Sequence, residues 1–284
     1  TQSTLSKQMM DLEAQLGRKL LIRGKRKVTL TEEGQFLRKQ AQEIMELMER
    51  YGVPRGKVCE CACGTGSITI ALSKMGYQMT GVDISPDMLF EASQKARRTG
   101  AMIPFVRQDM RRLHLHRCMD AVLCTNDGLN YLKDASELTD FFRAAFLSVR
   151  EGGALFVDLS TPYKLEHVLG NHFIGDETPD IAYLWQNRYN RAQGYVDLNL
   201  AIFVRQKDET YLRIGEQQRQ YAHSAQLLTE LMEAVGFTDI RLYGDKKLSP
   251  PDPHAVRWFL AARKPLTEEA PPTVGERMTE VPEA

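Results

Sequence analysis

No apolar run in the chain approaches the roughly 20 residues that a membrane-spanning helix needs, so the sequence predicts no spanning segment. No sign of charge predominates, since 37 Lys and Arg stand against 37 Asp and Glu. A chain balanced in this way has no overall field to draw it onto nucleic acid or anionic lipid. Cysteine is scarce and badly spaced for crosslinking: the five are Cys59, Cys61, Cys63, Cys118 and Cys124. Three of them alternate along one short extended stretch, where neighbours two apart are poorly placed for a disulfide, and the C-x-x-C spacing of a zinc site is missing. This excludes a disulfide scaffold and makes a reducing cytoplasm the expected compartment. The polar, helix-patterned N-terminus does not read as a leader peptide. There is no Ser-His-Asp order, no cofactor-lysine motif and no internal repeat.

What is present suits a globular protein with a sizeable core: 43% of the 284 residues are hydrophobic and 26% charged, enough for one large α/β domain or two small ones. The charge is unevenly spread. Arg18 to Lys27 carries six cations and no acid, while the segment beyond Pro265 is acidic and rich in proline, which points to more than one module. Residues 1–50 read as helix, hairpin, helix. Ser3 opens a helix bearing Leu5, Met9, Leu12 and Leu16, and Gly17 stops it. Lys19 to Leu30 alternates around Gly24-Lys25, and a second helix from Thr31 to about Tyr51 carries Leu37, Ala41, Ile44 and Met48 at helical spacing. Gly52 and Pro54 mark a boundary.

From Lys57 the pattern becomes strands alternating with helices. Strands are expected at 57–62, 78–83, 102–107, 120–125 and 153–159, with helices near 67–75, 86–97 and 135–149. That alternation predicts an α/β fold with a parallel sheet. Residues 181–191, 195–206 and 210–222 instead read as three strands joined by short polar turns, an antiparallel insert within 162–222. A helix at 224–235 and strands at 238–243 and 256–263 close a domain spanning 57–264, and 265–284 is expected to be disordered.

The strongest chemical signal is Val58-Cys-Glu-Cys-Ala-Cys-Gly-Thr-Gly66, where a strand ends and a helix begins. Small residues at Ala62, Gly64 and Gly66 allow a sharp bend and a close approach of ligand to main chain. Asp83 follows Gly64 by 19 residues, at the tip of the second strand, where an acid accepts hydrogen bonds from ribose hydroxyls. A dinucleotide fingerprint would place a third small residue at position 69, which is Thr69. An acid, Glu60, precedes the glycines instead. It repels pyrophosphate and suits the cationic sulfonium and ammonium of S-adenosylmethionine.

Residues 57–264 resemble the Rossmann-like class I methyltransferases. The resemblance rests on Glu60-Cys-Ala-Cys-Gly-Thr-Gly66, Gly81-Val-Asp-Ile-Ser-Pro-Asp-Met88, Gln108-Asp-Met110, Asp120-Ala-Val-Leu-Cys-Thr-Asn-Asp127 and Gly152-Gly-Ala-Leu-Phe-Val-Asp158. It implies a seven-stranded sheet whose last strand, 256–263, is antiparallel. It also implies S-adenosylmethionine as cofactor, with Asp83 at the ribose, Ile84 among the cofactor contacts, Asp109 by the adenine amino group, Met88 and Met110 flanking the adenine, and Glu60 near the methionine amine. Asp109 has a second reading as a turn cap, and His114 and His116 lack a third ligand, so no metal is expected.

Asn126, Asp127, Asn130 and Tyr131 end the fourth strand, at the sheet edge that faces ligands in open α/β folds. In the resembling family such residues lie beside the sulfonium. The insert resembles the lid of small-molecule methyltransferases, including sugar N,N-dimethyltransferases. Trp185, Asn187 and Tyr189 share one strand face, Glu216, Gln218 and Gln220 another, with Arg219 and Tyr221 opposite. Such a sheet suits either a substrate lid, with Trp185 and Arg219 among the substrate contacts, or a dimer interface. Asp127, Glu216 and His223 are the candidate proton acceptors for a nitrogen or oxygen nucleophile.

Residues 1–17 resemble the recognition helix of LysR-type transcription regulators, and Leu20 to Gly34 their wing and the start of their linker helix. The regulator domain begins with two further helices, so a DNA-binding module looks incomplete here. A small-molecule methyltransferase is therefore the favoured reading. The alternative is a regulator contacting DNA through Gln2, Ser3, Thr4, Lys7 and Gln8 with a cofactor-sensing domain behind it. The second helix, like the regulators' linker, could pair with its twin in a homodimer.

Overall fold

The computed structural model describes residues 21–23, 28–30, 32–244 and 249–266, with side chains from residue 39 onward. The expected first helix, the proposed DNA-contacting residues, the Gly24-Lys25 turn and the chain beyond Leu266 lie outside these. Strands β1 (Leu21–Arg23) and β2 (Val28–Leu30) pair antiparallel. Helix α1 runs over Glu32–Arg50.

A seven-stranded sheet forms the body. Its members are β3 (Lys57–Cys61), β4 (Gln78–Asp83), β5 (Phe105–Arg107), β6 (Met119–Cys124), β7 (Val149–Ser160), β12 (Thr238–Gly244) and β13 (Arg257–Arg263). The order is β12-β13-β7-β6-β3-β4-β5, with β13 antiparallel to both neighbours and β3 to β7 parallel. This is the Rossmann-like sheet expected, including its antiparallel last strand. The chain leaves β3 in one direction, to β4 and β5, and then returns to the other side for β6 and β7. The carboxyl ends of β3 and β6 thus flank a topological switch point, where open α/β sheets bind ligands.

Four further helices are α2 (Ser67–Lys74), α3 (Pro86–Arg98), α4 (Ala135–Ser148) and α5 (Ala225–Val235). Side-chain caps start three of them: Ser85 accepts from Met88 N, Asp134 from Ser136 N and Glu137 N, and Ser224 from Leu227 N. One sheet face is covered by α4 and α5 through Leu138, Phe141, Phe142, Leu228 and Met232. The other is covered by α1 and α2, with Ala41, Ile44, Leu47, Met48 and Tyr51 of the N-terminal segment buried against Val58, Ile68 and Phe156. These α1 residues are therefore packed inside the domain.

The insert is a four-stranded antiparallel sheet in the order β11-β10-β9-β8. It comprises β8 (Phe173–Glu177), β9 (Ile181–Asn190), β10 (Tyr195–Arg205) and β11 (Tyr211–Tyr221). Strand β8 was not foreseen: every residue in it is exposed, so no inside–outside alternation marks it. A short π-helix, Lys164–Leu169, joins β7 to the insert and packs Leu165 against Val196 and Leu198. Strand β5 starts at Phe105, three residues later than expected, just after Pro104, which supplies no N–H to the ladder.

Candidate functional site

The bend after β3 combines three left-handed residues, Ala62 (φ 51°), Gly64 (φ 53°) and Gly66 (φ 69°). The last two glycines have different reasons to exist. A Cβ on Gly66 would come within 2.9 Å of the Phe105 ring, so this glycine serves internal packing. A Cβ on Gly64 would meet nothing within 4 Å. The bend is thus open at Gly64, where a ligand can lie on the main chain.

Asp83 ties the bend to β4. Its Oδ2 accepts from Gly64 N at 2.8 Å and its Oδ1 from Ser85 N at 2.9 Å. A carboxylate has about four acceptor positions, so these two bonds leave capacity for hydroxyl donors. Beyond it, Ile84 is 61% exposed and Met88 43%. Apolar side chains left bare beside a polar crevice offer a platform for a flat ring.

Glu60, expected near the methionine amine, lies beneath the bend. It is buried, and both oxygens are taken: Thr125 Oγ1 donates to Oε1 at 2.5 Å, and Thr69 Oγ1 donates to Oε2. Burial raises its pKa to about 7, against the lowering effect of the two hydroxyls. Thr69, the residue that breaks the dinucleotide fingerprint, is therefore the one that holds Glu60. Neither threonine was paired with Glu60 from the sequence, because Thr69 and Thr125 lie 9 and 65 residues away from it.

Asp109 shows both of its readings. It caps the short 3₁₀ turn Met110–Arg112 by accepting from Arg111 N, and it pairs with the Arg111 guanidinium, with Nη2 at 2.6 Å from Oδ2. Bonding to Arg111 pulls its carboxyl below the usual range. Met110 packs partly into the core, with Cys124 Sγ 4.0 Å from its sulfur.

Asn126 (φ 52°) and Asp127 (φ 67°) follow β6 as consecutive left-handed residues, a strain of about 1–3 kcal/mol each. The loop can close here because Gly128 has no Cβ; one would lie 2.9 Å from Ala62 Cβ. Asn126 is exposed, whereas Asp127 sits in a charge cluster. Its Oδ1 lies 3.1 Å from Arg257 Nη1, an ion pair without hydrogen-bond alignment, and its Oδ2 is 3.7 Å from Lys164 Nζ. Arg257 also binds Asp158. Two cations thus pair with the carboxylate that the sequence offers as a candidate proton acceptor. Arg257 and Lys164 carry no motif that could have announced them.

Asn130 and Arg219, expected among the substrate contacts, both have partners within the protein. Asn130 is buried, and its amide donates to Ser160 O and Tyr221 O at 3.0 Å while accepting from Ser160 N at 2.9 Å. It is a strut between β7, the insert and the β6 loop, with no donor left for a substrate. Arg219 pairs with Asp197 at 2.6 Å and stacks 3.7 Å over the Tyr195 ring. It lies on the insert face opposite to buried Asn187, Val196, Leu198 and Gln220, because strand side chains alternate. The face turned toward the body carries Trp185, Glu216 and Gln218; Tyr131 Oη donates to Gln218 Oε1 at 2.7 Å, and Gln218 Nε2 donates to Glu216 at 3.2 Å. Asn187, 1% exposed, has neither amide atom bonded, and Trp185 Nε1 is likewise buried without a partner. His223 is buried beside the carbonyls of Leu129 and Leu132, with Nε2 unpartnered, and burial lowers its pKa.

A switch-point crevice with an acid-tipped β4, an open glycine and an antiparallel last strand defines an α/β methyltransferase. Residues 58–153 match the family described as methyltransferase domain. YqeM of Bacillus subtilis (strain 168), a methyltransferase by name, is 30% identical over 214 residues, covering 75% of this chain and 86% of that protein. The glycine/sarcosine N-methyltransferase of Aphanothece halophytica is 27% identical over 216 residues, covering 72% and 74%. A solved S-adenosylmethionine-dependent methyltransferase from Clostridium acetobutylicum superimposes with a TM-score of 0.74 at 25% identity, covering 81% of this chain and 92% of that one. Residues 1–35 match the lysR family of bacterial regulatory helix-turn-helix proteins. The chain belongs to the S-adenosylmethionine-dependent methyltransferase family and is a small-molecule methyltransferase. Among the described residues, no helix is long and apolar enough to cross a membrane.

Proposed function

We propose that the acceptor is an amine nitrogen of an uncharged or cationic small molecule, held between the β6 loop and the insert. The observation that carries this reading is the charge of the crevice walls. The inner insert face offers a carboxylate, Glu216, and an aromatic ring, Trp185, on the same register line across Leu200. Carboxylates and aromatic faces attract ammonium groups. The cations nearby are engaged, Lys164 and Arg257 with Asp127 and Asp158, and Arg219 with Asp197 on the far face. Among the described residues, an anionic acceptor meets none of these three cations without an acidic partner. The N-methyltransferase activity named for the relative from Aphanothece halophytica agrees with an amine.

The cofactor fits the residues present. Asp83 would hold the ribose hydroxyls, Ile84 and Met88 would flank the adenine with Met110 behind, and Asp109 and Asn126 would border it. The open main chain at Gly64, with Ala62 and Gly66 shaping the bend, would carry the methionine part. Glu60 acts from beneath as a buried acid rather than by contact. When bound, S-adenosylmethionine supplies a methyl group on a positively charged sulfur. The chain's task is then to align the nucleophile and exclude water. Glu216 is exposed and bonded through one amide, so it is the candidate to dock the ammonium and take its proton; His223 Nε2 is the second acceptor.

Labelled S-adenosylmethionine offered with matched amines, alcohols and phenols tests the proposal. Label should enter amines, and Glu216→Gln should raise the amine KM about tenfold with little change in cofactor affinity. Label entering only hydroxyl acceptors, or an acceptor that must be phosphorylated, would sink it. The match of residues 1–35 to the lysR family supports a second reading, DNA binding by the N-terminal segment. A salt-dependent gel shift would reveal it, and its absence on mixed genomic fragments at low salt would dismiss it.

A further inference from the structure

The carboxyl ends of the strands hold the methyl-transfer crevice, but the structure has a second cavity at the opposite end of the same sheet. It has a volume of about 630 Å³ and opens beside the amino ends of β3, β4 and β6. That is within the usual range for small-molecule sites, roughly 300–1,000 Å³. Its walls are apolar, built by Met79, Val106, Leu115 and Met119, with Met102 fully exposed at the rim.

The formally charged residues around it have one sign: Lys57 and Arg117 line the cavity, beside the imidazoles of His114 and His116, and no acid does. Among the described residues, neither Lys57 nor Arg117 has an ion-pair partner. The adjacent acid, Asp120, is already occupied, accepting from Lys57 N at 2.7 Å and pairing with Arg150 at 2.6 Å. In a chain whose charges balance overall, two unpaired cations and two imidazoles gathered over apolar walls are a local anion trap.

The backbone adds to this. Strand β5 pairs with β4 only over Gly81–Asp83, so Gln78 to Thr80, which line the cavity, form a bare sheet edge on that side. Such an edge presents unpaired main-chain groups to whatever lies against it.

We propose that this cavity is a binding site for a small organic anion with an apolar body, such as a medium-chain carboxylate, separate from the methyl-transfer crevice. The carboxylate sits between Arg117 and Lys57, and the apolar body lies along Met79, Val106 and Met119.

Decanoate is a suitable probe, titrated by calorimetry into the full chain saturated with S-adenosylhomocysteine so that the cofactor crevice is filled. One equivalent should bind. The doubly substituted Lys57→Gln, Arg117→Gln chain should bind it at least about tenfold more weakly while keeping its affinity for S-adenosylhomocysteine, which reports an intact fold. Decylamine, of the same apolar length and opposite charge, should not compete. No decanoate binding to the original chain, unchanged binding in the double variant, or equal binding of decylamine would each overturn the proposal, and none of these bears on the amine reading of the crevice.

Discussion

At the scale of single residues, Glu60 carries the most consequence. Its carboxyl is buried, its pKa is raised from 4.5 to about 7, and two threonine hydroxyls hold it. The folded chain therefore keeps a proton that the unfolded chain releases. Stability conferred by this group is fully present below about pH 4.5 and is lost as pH rises through about 7. Denaturant melts of the original chain and Glu60→Gln, compared at pH 5 and pH 8, should show the decline between these values flattened in the variant. The glycines allow a second prediction. Gly64→Ala strains a left-handed position in open space, costing about 1–2 kcal/mol, and should weaken cofactor binding disproportionately. Gly81→Ala pushes a Cβ to 2.5 Å from the Phe105 ring; it should cost about 1–3 kcal/mol by overpacking, with cofactor affinity following the fold. Equal effects of the two on stability and binding would contradict the division of roles.

At the scale of elements, α1 and the insert stand in contrast. The N-terminal helix shares the core of the methyltransferase: Met48 is fully buried among residues of β3, α2 and β7. Met48→Ala should cost about 2–5 kcal/mol in a single cooperative transition of the whole domain. A separate early transition of the N-terminal segment, with the domain's own midpoint unchanged, would mean the helix is an appendage. The insert is joined more narrowly. Asn130 links it to β7 through three main-chain hydrogen bonds. Asn130→Ala strands those groups and should cost about 3 kcal/mol, with hydrogen exchange of Tyr221 and neighbouring β11 amides accelerating more than that of β3.

At the scale of the molecule, the strand–helix alternation and the sheet class were legible in the linear order of residues, while the antiparallel last strand was implied only by the family resemblance. Such features are local, because a helix repeats every 3.6 residues, a strand every two, and a glycine-rich bend is contiguous. Strand β8 was not legible, since an exposed strand leaves no alternation to read. Nor were the roles of the polar residues at the sheet edge. Asn130, Asp127 and Arg219 all read as groups free to meet a substrate, and each is engaged by a partner remote in sequence: Tyr221 lies 91 residues from Asn130, and Arg257 closes the cluster around Asp127 from the last strand. Glu60 shares this property, with Thr125 65 residues away. The order of amino acids thus carried the expectation of which sheet edge meets the methyl donor, because pattern and period act between neighbours. Folding settled which of the polar side chains there remain available. A buried donor or acceptor must find a partner wherever the fold brings one within 3 Å or so, and that proximity has no counterpart in linear spacing.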